Sequence, residues 1–263
     1  MIFLRKNYPV TQLKRNFAAM NETTLYIALL AAGASFVQRT TGFGFGIFIM
    51  SALPYLMPSY GEATTLSGLL ALTTSMIIVL NMRKYIVWKR LAGILMTFVA
   101  ISAIAICMLS KIEGRTMRMI LGAVLILTSL YFSFFKDKVR KFIRPDLKSQ
   151  IGAGALSGVM GGLFGMQGPP AVLYFISTEP DKNHYMAMIQ MYFVIGNTMM
   201  TIVRALNGYL TPAVGTTYLY SLAGLAVGTL AGSWAFSRIP NRIFTYVVYA
   251  YIGISGAIIL LTA

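Results

Sequence analysis

The sequence predicts an all-α polytopic membrane protein made of two inverted five-segment repeats, each opening with a pair of short, broken helices. Three observations carry this prediction. Of the 263 residues, 57% are hydrophobic and 11% are charged, whereas soluble chains carry about 25% charged residues. The apolar residues gather into stretches long enough for a bilayer core, which takes about 20 helical residues to cross. These stretches follow one order twice: short, short, long, long, long. With a mean hydropathy of +0.71, a chain of this length cannot hide its apolar surface in one soluble core. Intrinsic disorder and a pair of soluble domains are excluded on the same ground.

Residues 1–22 read as a basic tail with Arg5, Lys6, Lys14 and Arg15. Ala32-Gly33-Ala34 resembles a signal-peptide cleavage site, but the segment has a counterpart later in the chain and is read as retained structure. The first repeat, 23–135, opens with Leu25 to Val37 and Phe43 to Met57, both too short for a comfortable span. Three full-length spans follow: Glu62 to Met82, Leu91 to Leu109 and Thr116 to Phe135. A basic loop, 136–149, forms the seam. The second repeat, 150–263, opens with Ile151 to Phe164 and Pro169 to Thr178, then gives Met186 to Val203, Ala213 to Ser237 and Ile243 to Ala263. Gly46 falls on Gly168, Pro58 on Pro180 and Gly93 on Gly215 when the halves are overlaid.

Five segments per half is an odd number, so the second copy enters the membrane with opposite sidedness. Loop charge sets orientation. Arg83, Lys84, Lys89 and Arg90, the seam, and Lys182, Arg238 and Arg242 are expected on the cytoplasmic side. Lys111, Arg115, Arg118 and both termini then lie outside. The basic tail opposes this assignment, and eight spans with parallel repeats are the alternative. The net charge of +15 is therefore loop charge, and a nucleic-acid partner is excluded. Cys107 is expected as a small packing residue.

All seven carboxylates (Glu22, Glu62, Glu113, Asp137, Asp146, Glu179, Asp181) lie in tails, loops or span ends. No mid-membrane carboxylate is available to a cation, and the buried polar groups are neutral or cationic. This favours an anionic substrate. In the first half, Gln38-Arg39-Thr40-Thr41-Gly42-Phe43-Gly44-Phe45-Gly46 interrupts the apolar sequence. Met166-Gln167-Gly168-Pro169-Pro170 is the corresponding break. Glycines allow close backbone approach, and helix N-termini offer N–H groups to an anion. Paired breaks in two inverted halves point to a transport site. Two such breaks meeting near the midplane would form an anion cradle; the other reading is that the glycines serve helix packing. Arg39 either faces a ligand or snorkels to an interface. Arg204, near a span end, is expected to snorkel. Gln190, Asn197 and Asn207 recur along one helix and either line a path or bridge helices. His184 is a candidate for proton coupling or an ordinary interfacial histidine.

The stretch Phe36-Val37-Gln38 through Thr41-Gly42-Phe43-Gly44-Phe45-Gly46, with Pro54 following, resembles the first repeat of the sulfite exporter TauE/SafE family, also called the toluene-sulfonate uptake permease family. Gly161-Gly162-Leu163-Phe164-Gly165, Gly168-Pro169-Pro170 and Tyr174 resemble its second repeat, and the likeness runs from about Thr23 through Gly232-Ser233-Trp234 and the Arg238 loop. The resemblance implies a secondary transporter of the cell (cytoplasmic) membrane for sulfur-containing anions, with the two breaks framing its path. Arg39 stands where the family usually has a small residue, and Met186 where many members have an arginine. The substrate charge is therefore expected at Arg39, so that Arg39→Ala abolishes anion binding and Arg204→Ala does not.

The predicted substrate site comprises Gln38, Arg39, Thr41, Gly42, Phe43, Gly44, Phe45, Gly46, Gln167, Gly168, Pro169, Tyr174, Gln190 and Asn197, with no metal and no cofactor. The expected partners are a small anion and the lipid bilayer. A channel and a non-transporting assembly partner are the alternatives. One histidine, one cysteine and no central carboxylate argue against an enzyme.

Overall fold

A computed structural model describes residues 10–80, 82–109, 111–135, 138, 142–179, 181–236 and 241–262. Its secondary structure over these residues is helical, without strands, and the chain is an all-α polytopic membrane protein. Helix α1 runs Val10–Thr41, α2 Phe45–Met50, α3 Leu53–Leu56, α4 Tyr60–Leu80, α5 Trp88–Leu109 and α6 Gly114–Leu130, which continues as a π turn over Tyr131–Phe135. In the second half α7 is Leu147–Phe164, α8 Gly168–Thr178, α9 Lys182–Leu206, α10 Pro212–Phe236 and α11 Asn241–Thr262. Five described segments are long and apolar enough to cross a membrane: Tyr60–Leu80, Trp88–Leu109, Gly114–Phe135, Asn183–Leu206 and Pro212–Ala235. Each falls on an expected long span. The sixth expected span lies on α11, whose shorter stretch Ala250–Thr262 is apolar.

The first expected short segment is corrected. It is part of a 32-residue helix that begins at Val10, inside the stretch assigned to the basic tail. The second consists of two pieces, α2 and α3. At 1.5 Å per residue, α2 is about 9 Å long and α8, with 11 residues, about 16 Å. Neither crosses a core of about 30 Å. Both turn back on the helix before them: the Phe48 ring lies against Gly33 of α1, and Ser157 of α7 donates to the Gln167 carbonyl at the start of α8.

Four helix pairs make the body of the protein: α1 with α10, α5 with α7, α4 with α9 and α6 with α11. The first two pairs meet along seams of glycine, which lets backbones approach where lipid supplies no hydrophobic drive between helices. Gly224 and Gly228 of α10 lie against the carbonyls of Ala28 and Ala32. Gly154, Gly158 and Gly162 of α7 lie against Ile94, Ile101 and Ser102 of α5. The other two pairs are antiparallel. Tyr85, after α4, meets His184 at the start of α9 with ring centroids 5.5 Å apart, while Gly61 at the start of α4 meets Tyr209 after the end of α9. In α6 and α11, Gly122 packs on Gly256 and Ile259, and Ser129 on Gly253.

Arg90 at the start of α5 donates Nη1 to both carboxylate oxygens of Glu179, 3.0 and 3.1 Å away, tying α5 to the end of α8. Glu179 is the buried member, its side chain 3% exposed against 56% for Arg90. The two partners are therefore unequal. Arg90→Met strands a buried carboxylate and is expected to cost about 1–3 kcal/mol, whereas Glu179→Gln frees a solvated arginine and costs under about 1 kcal/mol. Thermal unfolding of the two variants in one detergent checks the order. Cys107 is corrected: it lies on the exposed side of α5.

Candidate functional site

Each break begins with glycine in the left-handed region. Helix α1 ends when Gly42 takes φ 83°, its N–H still reaching the Gln38 carbonyl at 2.8 Å. Gly44, at φ 95°, then opens α2 by accepting from the Phe48 N–H at 2.9 Å. A side chain at either position would strain the backbone. In the second half Gly165, at φ 67°, closes α7 by donating to the Gly161 carbonyl at 3.0 Å. Pro169 and Pro170 sit in the first turn of α8, where an absent N–H leaves no helical bond unmade.

The two breaks touch. Gly46 of α2 lies directly on the Gly165 carbonyl, leaving no room for a Cβ. Around this contact is a cavity of about 20 Å³, counted as the space open to the centre of a water molecule. That is room for about one water. Gln38, Gly44, Phe45, Gly46, Ile47, Ala71, Gly165, Met166, Gln167, Gly168, Phe193 and Asn197 line it. None is a carboxylate. Phe45, Ile47, Ala71, Met166 and Phe193 supply apolar wall, and the polar side chains are three carboxamides: Gln38, Gln167 and Asn197 are each no more than 5% exposed, and Gln167 Oε1 has no hydrogen-bond partner.

A chain of amides holds the first break in place. Gln38 Nε2 donates to Ser75 Oγ at 2.8 Å and to Gln190 Oε1 at 3.1 Å. Gln190 Nε2 in turn donates to the Gly42 carbonyl at 2.7 Å. Helix α9 is thereby tied to the end of α1 through fully buried groups. On α7, Ser157 bonds the Gln167 carbonyl and accepts from the Tyr192 hydroxyl at 2.7 Å, which ties α9 to the second break as well.

The family model described as "Sulfite exporter TauE/SafE" matches residues 27–259, a range that contains both breaks and reaches into every helix of the four pairs. The chain belongs to the TauE/SafE family. A curated relative from Cupriavidus necator, named "Probable sulfite/organosulfonate exporter TauE", is 25% identical over 210 residues, covering 78% of this chain and 80% of that one. No solved structure gives a significant match. The TauE/SafE chain is thus a membrane transporter and not an enzyme.

In this TauE/SafE chain the cavity gathers Gln38, Gly44, Phe45, Gly46, Gln167, Gly168 and Asn197 from the predicted set. Gln190 and Gly42 stand one bond behind it. The other predicted residues lie elsewhere. Thr41 Oγ1 bonds locally, to the carbonyls of Val37 and Phe43. Phe43 packs on Phe132 at 5.3 Å. Pro169 is buried in the first turn of α8, and Tyr174 is buried against Phe175 at 5.2 Å, outside the cavity. His184 is remote from the cavity, at the start of α9, where Nδ1 sits 3.0 Å from Asp181. The Asp181 carboxylate caps α9 and is held below its usual range, chiefly by the His184 backbone N–H. Asn207 is exposed and bonds back to the Val203 carbonyl.

Two arginines lie where the sequence did not lead one to expect them. Arg39 does not line the cavity; its Nε donates to Ser233 Oγ on α10 at 2.8 Å. Arg204 is not a snorkeller but the largest fully buried side chain described. It lies near the C-terminal end of α9, and helix side chains lean toward the N-terminus, so its guanidinium reaches inward. The Arg238 and Arg242 side chains lie outside what the structure describes. Sequence reasoning also missed Ile47, Ala71 and Phe193 in the lining and Ser75 behind it, which are ordinary apolar or small residues in their segments.

Proposed function

We propose that this protein is a secondary transporter that moves a small sulfur-containing anion, of sulfite, thiosulfate, sulfonate or sulfinate type, across the cytoplasmic membrane by alternating access. The carrying observation is the cavity between two touching helix breaks, whose polar side chains are three carboxamides set in an apolar wall and which is free of carboxylates. Neutral N–H donors suit an oxyanion because they give several directional bonds without neutralising it, so that release stays possible. The α8 N-terminus adds positive potential, although Pro169 and Pro170 remove two of the N–H donors of its first turn. The name of the Cupriavidus necator relative supports sulfite or an organosulfonate as cargo and export as direction.

At about 20 Å³ the cavity holds a water but not a four-atom oxyanion, which fits a resting conformation in which the two breaks are closed on each other. Admission requires the two breaks to part. The antiparallel packing of α4 on α9 and of α6 on α11 supports inverted repeats, because helices at matching positions run in opposite directions. Rocking one repeat against the other about Gly46 and Gly165 opens each side in turn.

Proteoliposomes loaded with unlabelled sulfite are expected to take up radiolabelled sulfite transiently, by counterflow, with a saturable initial rate. Flux that rises linearly with concentration and shows no counterflow would identify a channel. No flux of sulfite, thiosulfate or ethanesulfonate would remove the transport of these anions from consideration.

A further inference from the structure

We propose that Arg204, with Tyr60, Ser67 and Thr201, forms a second, cationic subsite on the anion's path, one to two helical turns beyond the cavity along the seam between α4 and α9. The inference rests on the transport reading above and names the residue that supplies its charge.

Arg204 is 0% exposed. Its guanidinium donates to the carbonyls of Thr64 at 3.1 Å, Gly161 at 2.8 Å and Gly162 at 3.2 Å. These are neutral acceptors, the last two in the final turn of α7, whose negative helix end favours a cation. Nε finds no partner. Among the described residues the ion pairs are Arg90 with Glu179 and His184 with Asp181, so no carboxylate balances Arg204. A charge buried in this way is costly unless something pairs with it.

The groups around it are poised to donate. Ser67 Oγ, Thr201 Oγ1 and Tyr60 OH are buried with no hydrogen-bond partner. A Cβ built on Gly68 would sit 3.2 Å from Arg204 Nη1, 3.6 Å from Thr201 Oγ1 and 3.9 Å from Asn197 Oδ1, which places the three α9 side chains on one patch of α4. Tyr60 lies within electrostatic range of the guanidinium. Ser67 Oγ is 3.6 Å from the Cβ position of Gly165, directly behind the second break. Native interiors leave few such groups unpaired. Here a buried cation and three idle hydroxyls lie along one stretch of the α4–α9 seam, and the acceptor oxygens of an oxyanion moving along it take donors from them in turn.

Helical spacing connects the subsites. Gln190, Phe193, Asn197, Thr201 and Arg204 recur every three or four residues and share a face of α9. On α4 the opposing face carries Tyr60, Thr64, Ser67, Ala71 and Ser75. The seam therefore runs from the Gln38–Gln190–Ser75 network, past the cavity at Ala71 and Asn197, to Arg204. The amide end is neutral and the far end is charged, so an anion moving along the seam exchanges carboxamides for a guanidinium.

Purified protein is titrated with sodium sulfite and ethanesulfonate, reading thermal stabilisation and, in proteoliposomes, KM against maximal rate. Arg204→Gln keeps a donor for the α7 carbonyls and removes the charge; sulfite affinity is expected to fall about 10- to 100-fold. Ser67→Ala and Thr201→Val delete idle hydroxyls and leave the α7 carbonyls bonded. Each should weaken sulfite about 3- to 10-fold with the ligand-free melting temperature unchanged. Arg204→Lys should recover part of the affinity, whereas an arginine that only braces α7 would alter the ligand-free melting temperature alone. Wild-type sulfite affinity in a folded Arg204→Gln, or in both hydroxyl variants, overturns the subsite while leaving the transport reading intact. If Arg204→Gln does not fold, the two hydroxyl variants decide by the same criterion. Wild-type protein that binds neither probe overturns both.

Discussion

Gly46→Ala is expected to abolish transport and to lower the melting temperature of the purified protein. The added methyl has nowhere to go, because the Gly165 carbonyl occupies its place and the Met166 Cα is 3.4 Å away. Backbone on both sides cannot rotate aside as a flexible side chain would. Overpacking of this kind costs about 1–3 kcal/mol, and here the cost falls on the contact that joins the two breaks. The methyl pushes them apart, enlarges the cavity and breaks the contact between them, so counterflow should disappear even in the fraction that folds. Gly152→Ala is the matched control: no atom lies within 4 Å of its Cβ position on α7, and alanine is the better helix former. Wild-type counterflow in Gly46→Ala, with the control also active, would show that the breaks need not touch.

Gln190→Leu is expected to reduce transport more than it reduces stability. The substitution removes the acceptor for Gln38 and the donor to the Gly42 carbonyl. Buried hydrogen bonds between membrane helices average about 0.6 kcal/mol, because the unfolded chain in lipid also finds partners. Two such bonds make a stability loss of about 1 kcal/mol. Geometry is affected more, since these bonds hold the end of α1 against α9 and set where Gly44 and Gly46 point. A displacement of about 1 Å at a binding site can cost about 100-fold, and a loss of at least 10-fold in the initial rate of sulfite counterflow is expected. A double-mutant cycle with Gln38→Leu tests the network. Strong coupling, with the double variant close to Gln190→Leu alone, is the expected outcome; additive losses would mean that the two amides act separately.

Much of the architecture was legible before any tertiary contact was known. Glu62 to Met82 and α4, or Leu91 to Leu109 and α5, nearly coincide because apolar length is a property of consecutive residues. Gly42 and Gly44 announced the first break, and only glycine takes their left-handed φ without strain; the second break starts at Gly165, one residue before the predicted stretch. The start of α1 was not legible. Residues 10–22 are polar enough to read as a tail, and hydropathy cannot register a helix that continues past its apolar part.

The cavity was partly legible for a similar reason. Gln38, Gly46, Gln167 and Gly168 sit at the interruptions themselves. Asn197 lies well away along the chain and joins them only because α4 and α9 pack together. Phe43 and Tyr174, beside the same interruptions, do not line the cavity, and no one-dimensional spacing distinguishes them from Phe45.

The two arginines mark the division most clearly. By itself the sequence determined that this chain lives in a bilayer, where its long apolar spans fall, and that its carboxylates keep to tails, loops and span ends while cations do not. Those are sums over neighbouring residues. Only the tertiary structure decided which cation is interior. Arg39, between two apolar segments, turns to Ser233 on α10. Arg204, near the end of its helix, leans inward to carbonyls about forty residues away in the chain. The burial of a long side chain depends on the direction in which it leaves its helix and on the helix that receives it, and both are settled by packing.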